Sequence, residues 1–519
     1  MFHAAFAMNT TSNGHGSSHV GGHRTGVAAS YPELNKKMAP PKPVTPPQPQ
    51  SVPLAPDGHK NHVSFHTTED VPLAGVPLSM TRYMVTFELY NPAVIPQSSE
   101  ALANFKIILQ EKAVYTGRAV VRNVLNVGTK VICEAALDES LWAATALAGG
   151  QAGREQLQAE FKKFIGEWQK SYRVLPEYKL VIADLQTFLS DLRLWLDQVE
   201  TKIRAAPAKD QERLEIEAVN ELRGPVIMAL NNMFERFEIL ADKIPKDMQP
   251  AHRAYGQRQL HPFLLCAPFI NRTYTKPLGF AGDYEMMNMI VRNKLEGASL
   301  YAKLANQYLL DQIGPMAVRG RVGFLNKKII EETSRVSRQG RKARIFCVAC
   351  GPAWEAVNFV AEHPLAEHAE FEFLDFSEET LRYTTAKMED TKKRHHRHTQ
   401  VKFVRNSVQS LLRGRNKPAE EHDLIYCSGL YDYLSDSVCK SLNTHLYDML
   451  KPGGLLVVGN FAPNTPVRNF IEHFLEWFLI YRNAGELALL GPEQILRESC
   501  VIRAEPTGTN IFLEARKPE

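Results

Sequence analysis

The residues whose types and spacing best suit chemistry lie between Ala349 and Asp375. The apolar run 343–348 ends in Ala349-Cys350-Gly351-Pro352-Ala353-Trp354-Glu355, and helix-forming Ala356-Val357-Asn358-Phe359-Val360 follows. A strand, a tight loop of small residues and a helix N-terminus together let a backbone approach a nucleotide cofactor. A bulky Cβ would clash there, so small residues at 349, 351 and 353 suit the approach. A second apolar run, 371–374, ends in Asp375. That is roughly the ~20-residue offset at which such folds place an acid on the ribose hydroxyls. Ser377 reads as the N-cap of the next helix, with Glu379 or Thr380 near the capping-box position. Only Gly351 of the three small positions is glycine, whereas a nicotinamide enzyme would want a full G-x-G-x-x-G.

The elements that would position these residues recur in order. A third strand, 401–404, leads into Arg405-Asn406-Ser407-Val408, and a fourth, 423–427, into Ser428-Gly429-Leu430-Tyr431-Asp432-Tyr433-Leu434. Leu450-Lys451-Pro452-Gly453-Gly454 makes a turn before the apolar strand 455–459, and 509–515 would close the sheet. This order predicts an α/β Rossmann-like domain over 336–519 with a seven-stranded, mostly parallel sheet. Taken together, the motifs resemble the class I S-adenosylmethionine-dependent methyltransferases. The resemblance implies S-adenosylmethionine as cofactor. It assigns Ala349, Cys350, Gly351, Ala353 and Glu355 to the methionine part, and Asp375 with Phe376 and Ser377 to the ribose. Asn406 or Ser407 falls where the family usually has an adenine-binding acid, which is a departure. Ser428, Gly429 and Asp432 fall beside the reaction site.

Lys276-Pro277-Leu278-Gly279-Phe280-Ala281-Gly282-Asp283-Tyr284-Glu285-Met286 reads as a shaped loop with a polar tip, or as a turn with Asp283 as helix N-cap. With the stretch 428–434 and Trp477-Phe478-Leu479-Ile480-Tyr481-Arg482, it resembles a bacterial group tied to synthesis of 3-hydroxypalmitic acid methyl ester, a quorum-sensing fatty ester. That resemblance implies methylation of the carboxylate of a 3-hydroxy fatty acid or a related acyl substrate. A carboxylate is already ionised at neutral pH and needs no general base. It does need orienting, for which Tyr431, Tyr433, Arg468, Tyr481 and Arg482 are the candidates. Asp283 and Glu285 would orient a substrate hydroxyl, or take up a proton from a hydroxyl or amine acceptor. Phe470, Ile471, Phe474, Leu475 and Phe478 would line an acyl channel or form a helix core.

Upstream, residues 1–78 are rich in Pro and His and are expected to be a disordered tail. Alternation over 83–89, 113–121 and 130–134 predicts a small β-barrel within 79–145. This stretch resembles a PilZ domain, whose nucleotide-binding versions carry R-x-x-x-R and [DN]-x-S-x-x-G. Arg118 and Arg122 have the first spacing; 123–128 would be the second, with Leu125 in place of serine. A structural or partner-docking barrel is therefore expected. Apolar stripes (Phe161, Phe164, Ile165 and Trp168; Leu185, Phe188, Leu189, Leu192, Trp195 and Leu196) predict a helical bundle over 150–262. Helical stretches at 284–293 and 300–332 predict a cap over 263–335.

A net charge of +4 over 519 residues offers no concentrated basic face for nucleic acid. The run 392–398 reads as a solvated helix end. Seven cysteines without regular spacing read as reduced thiols, and Cys347-Val348-Ala349-Cys350 has no second pair at zinc spacing, so no metal is expected. No run is long and apolar enough to cross a membrane, and no signal peptide is read, which makes cytoplasm the expected address. The expected partner is a small molecule, with a protein docking on the barrel or helical region as a further possibility. Two other readings remain open: a non-catalytic signalling scaffold, and a methyltransferase acting on a protein or natural product.

Overall fold

The computed structural model describes residues 61–90, 92–109, 112–126, 130–138, 158, 161–162, 165–166, 174–412, 421–496 and 499–519. The expectations for 1–60, for the turn at 127–128, and for Phe164 and Trp168 lie outside the described residues.

Six strands close the first element: β1 (His62–His66), β2 (Pro72–Met80), β3 (Met84–Tyr90), β4 (Ala101–Leu109), β5 (Lys112–Asn126) and β6 (Lys130–Leu137), in the order β1-β2-β3-β6-β5-β4. Closure leaves no free sheet edge. Alternate residues such as Val63, Phe65, Phe87 and Leu89 point inward and are buried, with Phe65, Phe87 and Phe105 packed ring on ring. The tail expected over 1–78 is corrected here: β1 and most of β2 fall inside it. Their period-two burial outweighs the proline signal, and Pro77 sits where the β2–β3 register shifts, a position that tolerates a missing N–H.

Helices α1 (Pro176–Arg204), α2 (Ala208–Ala241), α3 (Gln249–Leu264), α4 (Pro268–Thr275), α5 (Tyr284–Arg292), α6 (Leu300–Leu310) and α7 (Ile313–Ser337) follow. The single stretch expected over 300–332 is thus two helices, parted at Asp311 and Gln312. Of the second expected stripe, Leu185, Leu189 and Leu196 are buried, whereas Trp195 is exposed, because the stripe is narrower than the apolar sequence. The helices keep one small core of their own, around Leu196, Val219, Leu300, Tyr301 and Leu304, and share a larger one. Leu185, Phe234 and Phe237 share one apolar cluster with Phe461, Phe470 and Phe474 from the far end of the chain.

The sheet is built from β7 (Ala343–Val348), β8 (Ala369–Asp375), β9 (Gln400–Arg405), β10 (His422–Cys427), β11 (Leu450–Phe461), β12 (Cys500–Ala504) and β13 (Asn510–Arg516). Its order is β12-β13-β11-β10-β7-β8-β9. The strands from β11 to β9 pair in parallel, and β13 runs antiparallel to both β11 and β12. Helix α7 covers one face with Trp354–Glu362, and Asp436–Asp448 covers the other. The chain steps outward from β7 to β9 and then returns to β10 on the other side of β7. This reversal opens a crevice at the carboxyl ends of the strands. No described helix is long and apolar enough to cross a membrane.

Candidate functional site

The loop after β7 holds three residues in the left-handed region, Ala349 (φ 54°), Gly351 (φ 52°) and Ala353 (φ 47°). An alanine there costs roughly 1–2 kcal/mol, so the loop stores strain that its surroundings must hold. Cys350 N donates to Leu374 O, and Thr384 Oγ1 donates to Gly351 O at 2.7 Å. A Cβ at Gly351 would meet no protein atom within 4 Å, so the space in front of it is open cleft. Asp375, at the end of β8, accepts from Gly351 N (3.1 Å) and Ser377 N (3.0 Å). Both its donors are backbone, which leaves lone pairs for a ligand. Burial pushes its carboxyl up to about 6 despite these donors.

Opposite lies a second group of buried polar residues. Glu355 Oε1 accepts from Tyr426 Oη at 2.9 Å, and burial raises its carboxyl above the usual range. Asp432 Oδ1 accepts from Phe461 N at 2.7 Å, and burial pushes its carboxyl up to about 6. Arg321 of α7 donates to Ser428 O at 3.2 Å and reaches Met287 Sδ, with burial lowering its affinity for a proton. It is the one basic side chain lining the cleft among the described residues. Tyr433 Oη accepts from Trp477 Nε1 at 2.8 Å.

The cleft encloses ≈ 1570 Å³, including space open to solvent. The barrel supplies part of its wall, through Thr68, Glu69, Gln97 and Ser98. Behind Val318, Phe461, Trp477 and Leu479, which line both, lies a smaller and almost wholly apolar pocket bounded also by Phe269, Leu309, Phe470, Ile471 and Leu475.

The structure brings Ala349, Cys350, Gly351, Ala353, Glu355, Asp375, Phe376, Asn406, Ser407, Ser428, Gly429, Asp432 and Tyr433 to this one cleft. The other candidates lie elsewhere, each spent on structure. Ser377 Oγ caps the helix Glu378–Arg394. Asp283 caps α5 through Met286 N and pairs with Arg272 at 2.8 Å. Tyr431 Oη donates to Asn443 inside the core. Arg482 is 2 % exposed and donates to Tyr431 O, Leu434 O, Asn460 Oδ1 and Asp436. Arg468 pairs with Glu472 and lies over the Tyr481 ring at 4.9 Å. Glu285 pairs with Arg292. Of the expected acyl-channel residues, Phe474 is in the helical core, and Phe478 lies under the Arg253 guanidinium at 4.8 Å. Sequence reasoning passed over Arg321 and Glu69. For Arg321 a signal existed: it sits three residues after Val318 and four before Leu325, both buried, on the apolar face of α7.

Residues 277–477 match the model of a family described as "Putative methyltransferase". No curated protein matches the chain. Among solved structures, a possible exported protein from Bordetella parapertussis is similar at 15% identity, over 58% of this chain and 97% of that one, with a TM-score of 0.39. An O-methyltransferase family protein from Burkholderia thailandensis is similar at 16% identity, over 53% and 74%, with a TM-score of 0.31. Magnesium protoporphyrin IX methyltransferase from Synechocystis PCC 6803 with bound SAH is similar at 12% identity, over 40% and 87%, with a TM-score of 0.29.

Proposed function

We propose that this chain is an S-adenosylmethionine-dependent methyltransferase. The observation that carries the reading is Asp375, a buried carboxylate whose protein donors are all backbone, facing the same cleft as the left-handed loop 349–353. The residues fit the cofactor: Asp375 would hold the ribose hydroxyls, Gly351 leaves room for close approach, and Glu355 would face the amino group of the methionine part. When bound, the cofactor supplies a methyl group on a sulfonium sulfur, already joined to a good leaving group. The protein's work is then alignment and exclusion of water.

The acceptor we read as the carboxylate of an acyl chain, a 3-hydroxy fatty acid or a relative. Two features support this. Arg321 would orient the carboxylate, and the apolar pocket behind Trp477 and Phe461 would take the hydrocarbon tail. The barrel we read as PilZ-like in a docking role. Its Arg118 is engaged with Glu476 and the Tyr274 carbonyl, and its Arg122 with Gln249, rather than with a nucleotide.

Calorimetry with S-adenosylhomocysteine tests the cofactor reading. Wild type is expected to bind, and Asp375→Ala to bind on the order of 10- to 100-fold more weakly, as for a lost polar partner. Absence of binding by wild type would overturn the enzyme reading and leave the scaffold. For the acceptor, Arg321→Leu is expected to raise KM for acyl acids on the order of 10-fold or more while S-adenosylhomocysteine affinity holds. An equal loss of both would move Arg321 to the cofactor.

A further inference from the structure

The segment at the end of β9, Arg405-Asn406-Ser407-Val408, brings no carboxylate to the cleft. An adenine presents a 6-amino group that needs an acceptor and ring nitrogens that need donors. After β9 the chain offers Asn406 and Ser407. The Asn406 Oδ1 is spent on Ser407 N at 3.0 Å, while its Nδ2 is buried without a partner in a residue 8 % exposed. A donor is therefore poised at the cleft wall, with no carboxylate of the 405–408 segment beside it.

The barrel brings one. Gly279 has φ 88°, and a Cβ on it would come within 1.9 Å of Thr68 Cγ2, so the turn Thr67–Asp70 is pressed directly onto the 276–282 loop. The next residue, Phe280, packs on the ring of Phe376 at 5.4 Å, beside Asp375. These contacts carry Glu69 to the rim of the cleft that Phe376, Asn406 and Ser407 also line. The turn is fastened by the buried Glu100, whose carboxylate accepts from Thr68 N (2.8 Å), Thr68 Oγ1 (3.1 Å) and Gln97 N (2.7 Å). Glu100 is consumed by that task. Glu69 accepts no hydrogen bond among the described residues; burial raises its carboxyl, and the charges of Arg405 and Glu100 lie within reach of it.

Resting on the methyltransferase reading above, we propose that Glu69, carried by the barrel, accepts from the cofactor's 6-amino group while Asn406 Nδ2 donates to a ring nitrogen. The barrel is then part of the cofactor site and reads the base.

The test uses the full chain and two probes in calorimetry: S-adenosylhomocysteine and its analogue with hydrogen in place of the 6-amino group. Wild type is expected to prefer the amino form on the order of 10-fold or more, as for a hydrogen bond to a charged acceptor. Glu69→Leu, which has no acceptor, is expected to weaken binding of the amino form and leave the analogue unchanged, so that the preference collapses. A variant that keeps the preference overturns the proposal, and so does one that loses both ligands equally. Wild type binding neither probe overturns the methyltransferase reading and the proposal with it. Binding of S-adenosylhomocysteine with the preference intact in the variant overturns the Glu69 assignment alone.

Discussion

A carboxylate that accepts two hydroxyl hydrogen bonds must be ionised, and burial holds Asp375 at about 6 instead of its ordinary 3.8. The sign follows directly. On the proposed ribose contact the ligand would select the ionised form, so affinity for S-adenosylhomocysteine should be full well above about 6 and fall as pH drops through that value. Calorimetric titrations at pH 8 and pH 5 should differ for wild type, and Asp375→Asn should remove most of that difference. For folding the sign is opposite: a carboxyl raised by burial contributes stability that is complete below 3.8 and is lost as pH rises through about 6. The neighbouring loop makes a second demand. Gly351→Val puts a β-branched side chain at φ 52° and into the open cleft, so binding should be lost on both counts. Ala353→Gly relieves a strained position and should keep binding, with stability changed by about 1 kcal/mol or less. Asp375 and the 349–353 loop were readable from sequence because their constraint is local: a strand end, a turn and a helix start within a few residues. Arg321 was readable only as a charge on the apolar face of α7; which cleft that face meets depends on tertiary packing against segments elsewhere in the chain.

At the scale of elements, the sheet's strands read clearly because each is a continuous apolar run between turn signals. β12 escaped notice, since its burial pattern is mostly exposed and resembles a loop. The first barrel strands escaped because prolines masked their alternation. Most of the catalytic candidates other than Tyr433 lie outside the cleft for another reason. Polar and aromatic residues near a strand end can either face the cleft or hold the segment that shapes it, and side-chain type does not distinguish these. Arg482 is the plainest case. It ties the 431–436 turn to β11 from inside the core. Arg482→Met should strand three buried acceptors and lower stability by roughly 2–4 kcal/mol. Thermal melts should register it; Tyr433→Phe, at the cleft, takes the acceptor from Trp477 Nε1 and should cost about 1–3 kcal/mol.

The whole molecule is joined by a buried ionic knot between barrel and helices. Glu476 accepts from Arg118 at 2.6 Å, and Lys276 Nζ donates to Leu475 O at 2.9 Å. Burial alone would raise the Glu476 carboxyl, but the charges of Arg118, Lys276 and Arg253 outweigh it and hold it at about 2. Its contribution to stability is therefore complete above 4.5 and is lost as pH falls towards 2. Arg118→Ala should cost roughly 2–4 kcal/mol, less than a fully sequestered pair because the arginine is a quarter exposed. Amide exchange should accelerate along the barrel's docking side while β7 and β10 stay protected. Close to this knot, Ser99 Oγ donates to Phe478 O at 2.8 Å, across 379 residues of chain. During translation the barrel's core is complete by Leu137 and its partners Gln249, Tyr274 and Gly279 come next, yet Glu476 and Phe478 emerge only after most of the remaining chain has been made. The nascent barrel can thus fold early and must wait with its serines hydrated, so a ribosome stalled before residue 476 would display a finished barrel with an unsealed flank.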